Sequence, residues 1–115
     1  MYSVTESFIS WVAGFGYEAS SYPPADGDEF VTVERTGGPV EDMVDHPTIA
    51  IQTWAKTEVR AEEMAVDLRN KALTSPHPVG VAHISVNSGP YPFWDDQTKL
   101  PRYQVVIDCS AQLTD

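Results

Sequence analysis

"FVTVERTGGPV" occupies residues 30–40 and holds the sharpest ambiguity in the chain. β-Branched and aromatic side chains alternate with polar ones from Phe30 to Arg35, and the run then meets Thr36-Gly37-Gly38-Pro39. The glycines either cradle a phosphate or let a strand break off. A phosphate loop leads from Gly-rich backbone straight into a helix N-terminus, usually with a lysine on the phosphates. Here Gly37-Gly38 leads to Pro39 and then to Glu41, Asp42 and Asp45, whose carboxylates repel a phosphate, and no Lys-Ser/Thr pair follows. The glycines therefore end a strand, and the chain is expected to present an assembly surface.

Alternation places Val31, Val33 and the stem of Arg35 on one face of this strand, and Phe30, Thr32 and Glu34 on the other. "PTIAIQTWA", residues 47–55, is the next expected strand, with Ile49, Ile51 and Thr53 on one side and Trp54 on the opposite one. About a dozen residues, "TGGPVEDMVDHP", lie between the two. Hairpin loops usually take roughly two to five residues, so residues 36–47 are expected as a long acidic loop.

Upstream, Ser3 and Glu6 have capping-box spacing, and Val4, Phe8, Trp11 or Val12, and Phe15 form one apolar stripe, so a helix is expected. Gly14 and Gly16 stop it. Residues 17–29 read as a short strand running into a loop marked by Pro23-Pro24 and Asp26-Gly27. Downstream, Thr57 is the expected N-cap of a second helix, with Glu58, Glu62 and Glu63 near its positive end. Ala61, Ala65, Leu68 and Ala72 share one face of that helix, and Asp67 and Lys71 can pair across a turn. Pro76 and Pro78 end it. "VAHISVN" alternates as a strand, "SGPYPFWDDQTKLP" reads as a connection, and residues 103–113 alternate as the last strand. The expected order is α-β-β-β-α-β-β. This is an α+β fold, with a mainly antiparallel sheet of four to five strands and both helices on one face.

The chain's 115 residues suit one domain, residues 1–115, with a core that needs no disulfide. Cys109 is the only cysteine. No apolar run approaches the roughly 20 residues that span a bilayer, so no membrane partner is expected. "MYSVTESF" contains no Lys or Arg, which argues against a secretory signal and for synthesis in a cytoplasm. The formal net charge is −10, and residues 1–55 hold nine acids against one base, Arg35. Such a field repels nucleic acid and anionic lipid.

Candidate chemistry is sparse. His46, His77 and His83 lack the close local pairing of zinc ligands, so no metal is expected. Cys109 falls in the apolar register of the last strand, which favours an inert buried thiol over a nucleophile. Glu62-Glu63 sits in a helix's opening turn and Asp95-Asp96 in a loop. Acid/base work would need one carboxyl held in a cleft with a raised pKa. No enzymatic activity and no cofactor are expected. Trp54 points away from the Ile49/Ile51 face, and Tyr91, Phe93 and Trp94 fall in a connection; packing across the loops accounts for roughly half of these, and surplus aromatics with Arg also suit a protein interface.

Taken in order, "FVTVERTGG", "DHPTIAIQTWAKTEVRAEEMAVDLRNKAL" and "WDDQTKLPRYQVVIDCSAQ" resemble the tail terminator (tail completion) proteins of long-tailed bacteriophages and prophages. The resemblance covers nearly the whole chain. It rests on Phe30 to Gly38, on Asp45 and Pro47 entering a strand that ends in Trp54-Ala55, on Ala61 and Ala65, and on Asp96, Arg102 and Tyr103. It implies a homo-oligomeric ring, generally a hexamer, on the head-proximal end of the tail tube. Such a ring stops tube polymerisation and docks the head–tail connector or stopper protein, without catalysis or cofactor. The implied location is the virion tail, with assembly in the host cytoplasm. Expected subunit or partner contacts are Arg35, Gly37, Gly38, Glu41, Asp42, Trp54, Trp94, Asp96, Arg102 and Tyr103. DNA is expected to pass through without specific binding, repelled by a lumen that includes Glu41, Asp42 and Asp45. A neck or head-completion protein is the nearest alternative. A small ligand-binding or hydrolytic α+β domain, with a pocket at His46, His83 or Asp95, is the alternative of another class.

Overall fold

The strand that opens at Phe30 is the second of seven in a computed structural model that describes residues 2–24, 27–93 and 100–113. Helix α1 spans Val4–Ala13 and begins where the Ser3 hydroxyl accepts the Glu6 backbone N–H at 3.3 Å. Strand β1 (Ala19–Ser20) runs parallel to β2 (Phe30–Gly37), with Ala19 opposite Val31. Three further strands precede the second helix: β3 (Val40–Glu41), β4 (Val44–Asp45) and β5 (Thr48–Trp54). Helix α2 spans Glu58–Thr74 and is capped by the Thr57 hydroxyl, which accepts the Arg60 N–H at 3.1 Å. Strands β6 (Val81–Pro92) and β7 (Arg102–Ala111) complete the chain as an antiparallel pair.

The class is α+β, but the sheet is larger than expected and its order differs. Among the described residues it has seven strands and is mixed, and the elements run helix, five strands, helix, two strands. The first correction lies in residues 36–47. These form no long loop: β3 and β4 fold into a hairpin about Asp42 and Met43, whose φ values are +52° and +65°. Positive φ at both central residues is the signature of a type I′ turn, whose twist matches the flanking strands. The second correction lies at the other end, where β6 continues through Ser88–Pro92 instead of stopping at Asn87. Among the described residues β6 pairs only with β7, so its prolines sit on an edge, where a missing N–H costs no ladder bond.

Register explains the packing. Val33, Ile51 and Val105 stand side by side across β2, β5 and β7, as do Ile49 and Ile107. With Val31 and Cys109 they form one sheet face and share a single core with Val4, Phe8 and Val12 of α1 and Ala61, Met64, Ala65, Leu68 and Ala72 of α2. Both helices therefore cover the same face. Burying a side chain such as Phe8, Ile51 or Leu68 contributes about 1.5–3 kcal/mol each. Thr53 shares this face without an orphaned hydroxyl, because its Oγ1 donates to the Ala61 carbonyl at 2.7 Å. That bond also ties β5 to the start of α2.

Candidate interaction surfaces

The glycines of the opening stretch build a clip. Between Arg35 and Gly37 the β2–β5 register slips, a bulge that turns two carbonyls towards the Arg35 side chain. Arg35 Nε donates to the Gly37 carbonyl at 3.1 Å and Nη2 to the Gly38 carbonyl at 3.3 Å. The same guanidinium grips Asp45 with two bonds of 2.8 and 2.7 Å. Gly38 has φ +112°, and a Cβ there would lie 2.0 Å from the His46 carbonyl oxygen, so no larger residue fits. Hydrogen bonds from Arg35 hold the Asp45 carboxyl below the usual carboxylate range. Asp45 is only 5% exposed. Its charge is spent on Arg35, which corrects the expectation that it joins Glu41 and Asp42 in facing a lumen.

Beyond the clip the ladder continues, with the His46 N–H donating to the Pro39 carbonyl at 2.9 Å. The hairpin then ends in an exposed tip. Val40, Met43 and Val44 are apolar and exposed there, Met43 to 78%, and Glu41 and Asp42 are exposed beside them. This apolar trio has no signature in the sequence, because three hydrophobic residues in a polar segment carry no periodicity.

The sheet face away from the helices holds the other cluster. Trp54 is 2% exposed, stacked on Phe30 with ring centroids 5.3 Å apart. The Arg102 guanidinium lies 4.4 Å from the Trp54 ring and 4.4 Å from the Phe93 ring, sandwiched between them. Its Nε donates to the Phe93 carbonyl at 2.8 Å. A row of side-chain bonds crosses the sheet beside this stack. Trp54 Nε1 donates to Thr32 Oγ1, Thr32 to Gln52 Oε1, Gln52 Nε2 to Gln104 Oε1, and Gln104 Nε2 to the Tyr91 hydroxyl. Much of the aromatic surface offered by Trp54 and the guanidinium of Arg102 is thus used within the chain. Tyr103 lies on the opposite, helix-covered face, half-buried near Glu62 and Glu58. Trp94, Asp95 and Asp96 fall outside the described residues. The structure thus brings Arg35, Gly37 and Gly38 together, places Glu41 and Asp42 just beyond them, and sets Trp54 and Arg102 at the opposite end of the sheet.

Two of the surface depressions have histidines in their lining. One of about 400 Å³ has His46, His83, Glu41, Thr48, Ser85 and Asp108 in its lining. The Asp108 carboxylate is already engaged there, accepting from Thr48 Oγ1 and from Asn87 Nδ2 at 2.9 Å each. Cys109 borders it from the core, and burial pushes its thiol up to about 11, so it is a neutral thiol at physiological pH. The other depression, about 420 Å³, lies beside α1, with Tyr2, Glu6, Trp11, His77, Pro78 and Val79 in its lining. Among the described residues, no three His, Cys, Asp or Glu side chains gather to hold a metal ion, and no helix is long and apolar enough to cross a membrane.

Charge is partitioned in a consistent way. Arg35, Lys56, Arg60 and Lys71 are paired with Asp45, Asp28, Glu29 and Asp67 respectively. Arg69 donates to Asn70. Glu6, Glu18, Glu34, Glu41, Asp42, Glu58, Glu62 and Glu63 have no ion-pair partner among the described residues, and all eight are exposed. Among the described residues the exposed acids without an ion-pair partner therefore outnumber the cations, most of which are paired with a carboxylate. Neither a protein-family model nor a curated protein sequence matches the chain.

Proposed function

We propose that the chain is a structural assembly protein of the tail terminator type. In this reading it caps the head-proximal end of a phage tail tube as a homo-oligomeric ring, hexameric in the commonest form. It stops tube growth and offers a docking surface to the head–tail connector. The observation that carries this reading is the clipped hairpin. The segment that bears the family resemblance, Phe30 to Gly38, spends its glycines and its arginine on fixing an arm whose tip exposes Val40, Met43 and Val44. A rigid arm with an apolar tip loses little conformational freedom on docking, which is how preorganised contacts gain affinity. The excess of unpaired acids supports the same reading, since a ring traversed by DNA benefits from a surface that repels phosphates.

Native mass spectrometry of the purified protein, alone and with tail tubes, tests the ring. Six-fold particles in either condition are expected. A protein that stays monomeric in both would refute the reading. A neck or head-completion role predicts binding to purified heads and not to tails. The depression at His46 and His83 favours a second reading, as a small ligand-binding domain. A ligand that perturbs the NMR signals of both imidazoles, with no perturbation at the hairpin tip, would support that reading instead.

A further inference from the structure

Strand β6 is an open edge of the sheet, and its central stretch carries no protection against pairing. β7 bonds to its two neighbours alternately. The Cys109 N–H donates to the Pro47 carbonyl on the β5 side, whereas Gln112 donates to the Gly80 carbonyl and Phe93 to the Arg102 carbonyl on the β6 side. Odd-numbered β7 residues therefore serve β5 and even-numbered ones serve β6. Ile84 and Val86 stand opposite Cys109 and Ile107, so their N–H and C=O groups turn away from β7. Among the described residues no backbone partner meets them there. Register shifts between Val81 and His83 and between Val86 and Ser88 bracket a regular stretch, residues 83–87, whose centre is Ser85. Edge strands are usually blunted by charge or proline. His83-Ile84-Ser85-Val86-Asn87 contains no Asp, Glu, Lys, Arg or Pro, in a chain of net charge −10.

We infer that two copies of this chain pair β6 with β6 across a two-fold axis at Ser85, antiparallel, as one continuous sheet. The stretch is complementary to itself about that centre. Ile84 of one copy stands opposite Val86 of the other, and the two symmetric pairs close about four backbone hydrogen bonds. Ile84 and Val86 already pack against the core, so these pairs join the two cores through β-branched contacts. On the other face Ser85 meets Ser85 and His83 meets Asn87, so no charge faces a like charge. The Asp108 carboxylates beside the seam stand three strand spacings apart, roughly 14 Å. That exceeds the screening length of about 10 Å at 0.1 M salt. Each of the five positions finds a suitable opposite in a second copy, which selects this occupant over a strand of another protein. The sheet's other ends, β1 and β3, have two residues each, too short to supply the partner strand. The helices leave room. α2 lies over β5, β7 and β6, so across the axis the two α2 helices stand roughly 14 Å apart, against about 8–10 Å for packed helices. Asp67 and Lys71 turn towards Tyr17 and Phe15, beside α1. Leu73, about 200° round the helix from Lys71, lies on the β6 side, where its exposed side chain adds apolar surface to the contact. A two-fold contact closes on itself, whereas a cyclic ring needs a head-to-tail one. The pairing therefore goes beyond the tail terminator reading and does not depend on it.

Ser85→Cys tests the register. Residue 85 falls at a non-hydrogen-bonded position of the new ladder, where Cα atoms stand about 4.5 Å apart, within reach of a disulfide. His83→Cys is the control, because the two copies of residue 83 lie four residues apart along the seam, about 13 Å. In a glutathione redox buffer Ser85→Cys is expected to form a covalent dimer about tenfold or more faster than His83→Cys. Cys109 is buried and does not compete. Ser85→Lys sets like charges face to face at the axis on an exposed side chain. It is expected to keep the wild-type melting temperature and to sediment as a monomer at concentrations where the wild type sediments as a dimer. Equal crosslinking by the two cysteine variants, or a Ser85→Lys variant that still dimerises, overturns the pairing. A wild type that sediments as a monomer at every concentration overturns it too, and leaves the tail reading standing.

Discussion

Replacing Arg35 by methionine keeps most of the side chain's apolar bulk and removes the clip. Four hydrogen bonds disappear, two to Asp45 and one each to the Gly37 and Gly38 carbonyls. The Asp45 carboxylate, with 7% of its side chain exposed against 32% for Arg35, is then left buried without its cation. Breaking one side of a fully buried pair costs about 3–5 kcal/mol, and an exposed pair is worth less than about 1. A pair with one buried and one partly exposed member falls between, so Arg35→Met is expected to cost about 2–3 kcal/mol. For a chain of this size that lowers the melting temperature by roughly 8–12 °C. Urea unfolding followed by tryptophan fluorescence measures the loss, and pH supplies the second axis. The Asp45 carboxyl is depressed in the folded state by the Arg35 hydrogen bonds. The pair's contribution is therefore fully present above the unfolded carboxyl value near 3.9 and is lost as pH falls through the lower folded value. The gap between wild type and Arg35→Met is expected to be widest between about pH 5 and 7 and to close below about pH 4. A gap under about 0.5 kcal/mol at neutral pH, or one unchanged down to pH 3, refutes this account of the clip.

Gly38→Ala is expected to destabilise by about 2–4 kcal/mol, since its Cβ meets backbone and not a movable side chain; Gly37→Ala, with open space around it, is expected to cost less, and the same unfolding assay ranks them. Cys109 is expected to resist thiol reagents at pH 8 in the native protein and to react only in denaturant, because it is buried and protonated; stoichiometric native labelling on the timescale of an exposed cysteine contradicts this. Self-association between copies of net charge −10 is expected to strengthen with salt, as the screening length falls from about 30 Å at 0.01 M to about 3 Å at 1 M. Sedimentation velocity across that range checks it, and dissociation by salt points instead to an oligomer held by pairs of opposite charge.

The elements with strong periodicity were legible from residues alone. Ser3, Thr57 and the alternation of Val31 to Ile51 place both helices and the core face where the structure has them. What stayed hidden had a physical cause in each case. The turn at Asp42-Met43 lacks the Asn-Gly chemistry that normally marks a type I′ hairpin, so the segment reads as loop. Gly37 ends β2 as the glycine pair suggests, but no pattern shows that the Gly37 and Gly38 carbonyls bind an arginine from two and three residues earlier. Pro90 and Pro92 looked like strand breakers, but an edge strand tolerates them. Alternation turns Trp54 away from the helix-covered face, and no local pattern shows that Phe30 and Arg102 cover it within the sheet. The exposed apolar residues at the tip depend on register between distant strands, which one sequence does not display.

Tube assembly itself distinguishes a terminator from a bystander. Tail tube subunits polymerising in vitro are followed by electron microscopy, with this protein added once growth has begun. Elongation is expected to halt within the mixing time, tube lengths to plateau, and a ring of density to appear at one tube end only. Tubes that keep growing at the control rate, with both ends bare, would contradict a terminator role.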